Sequence, residues 1–127
     1  MQNNFRAELA RAKGYGAAKG GAHHWWHQRL TSIIMTPLFL WLLFFIKSNT
    51  DQELTTVISN IHKPYNIVPM LLLITTAFYH GVLGMRVIIE DYIPNIAIRS
   101  TLIVIVQLFS LVTVVSIIVA LLSLISI

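Results

Sequence analysis

After Arg99 the chain runs to Ile127 without another charged side chain. A helix that is apolar all round has no face to give to water, so such a run is either the core of a large protein or a membrane span. Two more runs of the same kind precede it, Leu30 to Ile46 and Ile67 to Ile89. Crossing the hydrocarbon of a bilayer takes about 17–25 helical residues. The first run is near the short limit, but Trp25 and Trp26 at one end and Lys47 at the other extend it into both interfaces. Composition agrees: the 127 residues are 56% hydrophobic and 11% charged, against roughly 25% charged in soluble domains. The mean hydropathy is +0.73. The expected fold is an all-α membrane protein with three transmembrane helices, up-down-up.

The polar punctuation divides the chain. Residues 1–28 form a polar, cytoplasmic N-terminal segment, and residues 29–127 a three-helix membrane domain with spans at about 29–47, 66–89 and 100–125. In the first segment Arg6 to Lys13 can form a short helix, which Gly14, Gly16, Gly20 and Gly21 break. It has no early apolar region of the secretory-signal type. Pro37 is expected to kink the first span. Residues 47–66 read as a polar loop, and Glu90 to Ile98 as a short connection broken at Pro94. Arg6, Arg11, Lys13, Lys19, Arg29, Arg86 and Arg99 flank one side of the membrane, and only Lys47 and Lys63 the other. This places the N-terminus and the second connection inside.

The chain contains no cysteine, so disulfides, thiolate-bound iron–sulfur clusters and Cys-ligated zinc are excluded from it. The net charge of +4 reads as topology and attraction to anionic lipid rather than nucleic-acid binding, because the basic residues flank apolar runs.

His80 is the one ionisable group near the middle of a span. Such a group is costly in lipid, and faces either a neighbouring helix or a functional site. Gly81 and Gly84 beside it allow the close approach of a partner backbone or of a flat cofactor. Asp91 follows eleven positions later. At about 100° and 1.5 Å per residue it returns to within about 20° of the His80 face, about 16 Å further along the axis. Tyr92 adds a phenol at that depth. A carboxylate beside a phenol at the membrane edge suits a quinone headgroup, but taken alone the pair reads first as interfacial snorkelling and helix capping. His23, or His24, can share a helical face with His27, but no carboxylate lies near in sequence to complete a zinc set. They read as an interfacial belt or as a dock for a soluble partner.

Two stretches carry a resemblance. His80-Gly81-Val82-Leu83-Gly84-Met85-Arg86-Val87-Ile88-Ile89-Glu90-Asp91-Tyr92 resembles the second-helix signature of the hydrophobic membrane-anchor subunits of succinate dehydrogenase (complex II), D-type. His23 to Ile33 is similar to the approach to helix one in that family. The likeness covers about residues 14–100; the third helix matches in hydropathy only.

The resemblance implies two anchor subunits sharing one haem b, with His80 as one axial ligand and the other supplied by a cytochrome b556-type anchor subunit. It implies that Asp91 and Tyr92 line the ubiquinone site. Arg29 would meet a haem propionate or support the quinone site, and His23, His24, Trp25 and Trp26 would help dock the soluble subunits. The iron–sulfur and flavoprotein subunits are the implied partners. The dicarboxylate chemistry would lie on another chain, and the location would be a bacterial or mitochondrial inner membrane. The competing readings are a fumarate reductase anchor, a small proton-relaying transporter subunit with His80 as the relay, and a purely structural anchor with His80 as a packing residue.

Overall fold

A computed structural model describes residues 18–123, with side chains from Trp25 onward. The expected short helix at Arg6 to Lys13, and the side chains of His23 and His24, lie outside the described residues. Four helices follow one another: α1 (Ala18–Asn49), α2 (Leu54–His62), α3 (Pro64–Tyr92) and α4 (Ile96–Ser123). Three of them are long and apolar enough to cross a membrane, over Trp25–Asn49, Pro64–Tyr92 and Ile96–Ser123. The protein is therefore an all-α, three-span membrane protein.

The helices overrun the apolar stretches that announce them. α1 starts at Ala18 and continues through Gly20, Gly21 and the His/Trp cluster. Glycine weakens a helix by only about 1 kcal/mol, and α1 tolerates both in its first turn. It also runs without interruption through Pro37. Asp91 and Tyr92 belong to the last turn of α3, so the connection before α4 shrinks to residues 93–95. There Asn95 Oδ1 accepts the backbone N–H groups of Ala97 (3.0 Å) and Ile98 (3.2 Å), capping donors that α4 cannot satisfy itself.

The stretch expected as a loop holds the nine-residue α2. Its half-buried Val57, Ile58 and Ile61 recur at helical spacing. Lys63 ends it in an extended conformation (φ −62°, ψ 132°), the conformation a residue before proline prefers. Pro64 then opens α3, where its missing N–H costs nothing. Asn60 Nδ2 donates to Asn49 Oδ1 (2.8 Å), and Asn66 Nδ2 to the Asn60 carbonyl (2.8 Å), tying α2 to the ends of α1 and α3.

α3 is the hub. It packs antiparallel along α1 on one side and α4 on the other, while α1 and α4 meet at most marginally. Leu73, Leu83 and Ile89 of α3 and Thr31 of α1 are buried. Large apolar side chains elsewhere face outward, Phe44 at 72% and Phe109 at 70% exposure among them. This is the inside-out pattern of a chain whose solvent is lipid and other subunits.

Candidate functional site around His80

His80 lies just past the midpoint of α3 and turns toward α1. Its Nδ1 is 2.7 Å from Thr31 Oγ1, and its Nε2 is 3.3 Å from the Gln28 side-chain nitrogen. An imidazole left unpaired in hydrocarbon costs several kcal/mol, more than the ~1 kcal/mol net return of one hydrogen bond. That difference orients the ring toward Thr31 and Gln28 of α1.

Thr31 sets the proton positions. Its Oγ1 is 2.9 Å from the carbonyl of His27 and 2.9 Å from that of Gln28. The hydroxyl has one hydrogen, and these two backbone acceptors on its own helix take it. With the hydroxyl hydrogen on those carbonyls a lone pair can face His80, an arrangement in which Nδ1 carries the imidazole proton and donates it to Thr31. Nε2 is left as a lone-pair donor. Gln28 approaches that lone pair with its amide N–H at a long distance, while its own Oε1 is buried and has no partner among the described residues. Gly84 faces the same spot: a Cβ added there would sit 3.6 Å from the Gln28 amide nitrogen. Gly81, in contrast, borders an apolar hollow of about 370 Å³ against α4, lined also by Phe78, Val82, Met85, Val106 and Phe109.

On the same seam, His27 Nδ1 and Tyr79 Oη are 2.8 Å apart. Arg29 is not beside His80. Its guanidinium lies over the Trp25 ring, 4.7 Å from the centroid, and Trp25 meets Trp26 edge to face at 5.9 Å. At the inner end of α3, Arg86 Nε and Glu90 Oε1 pair at 2.7 Å. Asp91 and Tyr92 are exposed, Tyr92 at 81%, and neither makes a side-chain hydrogen bond among the described residues. The larger cavity, about 690 Å³, lies at the opposite membrane face between Trp41, Phe45, Asn60 and Tyr65.

Of the expected site residues, His80 is thus brought against α1, while Asp91, Tyr92 and Arg29 stand apart from it and from one another's partners. Thr31, Gln28 and Tyr79 are the contacts that sequence reasoning missed. Gln28 and Thr31 do share a helical face at i, i+3, a faint polar stripe entering an apolar run.

Residues 3–122 match the family described as succinate dehydrogenase/fumarate reductase transmembrane subunit. The chain is 46% identical over 120 residues to the succinate dehydrogenase hydrophobic membrane anchor subunit of Rickettsia bellii, covering 94% of this chain and 96% of that one. It is 44% identical over 122 residues to the protein of the same name from Rickettsia conorii, covering 95% and 97%. The succinate dehydrogenase membrane anchor subunit of Reclinomonas americana is 36% identical over 78 residues, 59% of this chain and 65% of that one. No solved structure gives a significant match. The three spans, the inward-turned His80 and these likenesses converge: this chain belongs to the succinate dehydrogenase/fumarate reductase transmembrane subunit family.

Proposed function

We propose that this chain is the hydrophobic anchor of a succinate:ubiquinone oxidoreductase of an inner membrane. It holds a flavoprotein and an iron–sulfur subunit at the inner face and forms, with a second anchor subunit, a haem b cage and a ubiquinone site. The observation that carries the reading is His80: an imidazole in mid-membrane, held by a neutral partner at Nδ1 and presenting Nε2. The donor set fits an axial haem ligand. Nε2 is opposed only by a long amide contact, and that amide has an orphaned oxygen beside it. Gly84 brings no side chain of its own to this spot, where the Gln28 amide lies 3.6 Å from where a Cβ would be. A haem held there by His80 would supply electron transfer.

The rest of the work belongs to the polypeptide. Asp91 and Tyr92 end α3 where the seven inside-flanking cations place the inner membrane face. Tyr92 Oη donates a hydrogen bond to a quinone carbonyl, and Asp91 takes up or relays protons there. Both keep their polar atoms exposed for groups supplied by the neighbouring subunits. Arg29, riding on Trp25, presents a cation at the same face to a propionate, to the quinone site or to the iron–sulfur subunit, and His23, His24 and Trp26 add to that dock. A proton-relaying transporter is disfavoured because the polar contacts of His80 are the neutral Thr31 and Gln28, with no carboxylate at its depth.

Purification of the tagged chain in mild detergent tests the reading. Flavin-bearing and iron–sulfur polypeptides, a second small anchor and a reduced b-type spectrum should accompany it, with succinate-dependent ubiquinone reduction. A pigment-free chain purifying alone would refute it, and preferential menaquinol oxidation would assign the complex to fumarate reduction instead.

A further inference from the structure

We propose that Thr31 is a positioning residue for His80, fixing both the tautomer and the plane of the imidazole that ligates the iron. The proposal rests on the reading of His80 as an axial ligand. Three observations carry it. Thr31 is 6% exposed, the one buried polar residue among those described. Its contact to Nδ1, at 2.7 Å, is the shortest polar contact between α1 and α3. Two backbone carbonyls 2.9 Å away can take its single hydrogen, which frees the oxygen to act as acceptor.

An oxygen that accepts from the distal N–H of a ligating imidazole raises the basicity of the other nitrogen and locks the ring about its long axis. Thr31 therefore strengthens the Nε2 donor and favours the oxidised, more positively charged iron. Without it, Nδ1–H has no acceptor in lipid, the ring is free to turn, and the donor weakens.

The test uses the assembled complex with three variants of this chain. Thr31→Val keeps shape and removes the acceptor. The haem midpoint potential should rise, the low-spin ferric EPR g-values should shift with the freed ring plane, and haem should be lost to a competing apo-haem protein about 10–100-fold more readily. Thr31→Ser restores the acceptor and should return all three readouts to wild type. Thr31→Ala gives the same shifts as Thr31→Val should the valine variant fail to assemble. Wild-type potential and g-values in both hydroxyl-free variants would overturn the proposal, as would a serine variant that behaves like valine. His80→Leu separates the two levels. Loss of the bis-imidazole spectrum upholds the ligand assignment whatever Thr31 does, and an unchanged spectrum overturns both.

Discussion

Tyr92 and Asp91 carry polar atoms that nothing in the described chain engages, whereas the imidazole of His80 is held at both nitrogens. On the proposed reading, the first two wait for a substrate and the third for a metal. Replacing Tyr92 by Phe removes one donor worth about 1.4 kcal/mol. Ubiquinone reduction should therefore slow roughly tenfold, while succinate oxidation by an artificial dye acting upstream stays intact. Equal loss of both rates would show misassembly instead. At this scale the sequence was partly legible. The eleven-residue step from His80 to Asp91 is a property of one helix and could be read from spacing. The bond from His80 to Thr31 spans 49 positions, and no local period announces a contact between two helices.

The elements differ in how they declare themselves. Long apolar runs located α1, α3 and α4, because lipid demands them. α2 is short and amphipathic, and the polar residues around it read as a loop although Leu54, Val57, Ile58 and Ile61 follow i, i+3, i+4, i+7. Its attachment depends on Asn60, whose side chain donates to Asn49 and accepts from Lys63 Nζ at 2.7 Å. Asn60→Ala should loosen α2 by about 1–2 kcal/mol, seen as hydrogen exchange about 5–30 times faster over residues 54–62 with α3 unchanged. The α1–α3 seam makes a second demand. At Gly84 a methyl group would be in ordinary contact with Gln28. Gly84→Ala should thus shift the thermal midpoint little, within about 0.5 kcal/mol. Gly84→Leu should displace Gln28 and cost about 1–3 kcal/mol, read as earlier thermal loss of the complex.

For the molecule as a whole, the bias of Lys and Arg predicts an inside N-terminus and an outside loop between the first two spans. The absence of cysteine makes this directly measurable. Asp51→Cys should react with a membrane-impermeant maleimide applied to intact cells, and Asn95→Cys only after the membrane is opened. The reverse pattern would invert the topology. The fold class was legible because the outer surface is the message: exposed Phe44 and Phe109 are as apolar as any core. What covers each face was not legible, since lipid and a partner subunit ask for the same side chains.

The two-carbonyl grip on the Thr31 hydroxyl also bears on how the chain is made. α1 leaves the ribosome before α3 exists, and must settle among acyl chains with this hydroxyl aboard. Because the hydrogen is returned to its own backbone, the newborn span offers lipid no unsatisfied donor. Its spare electron pairs are kept for a ring that is synthesised 49 residues later.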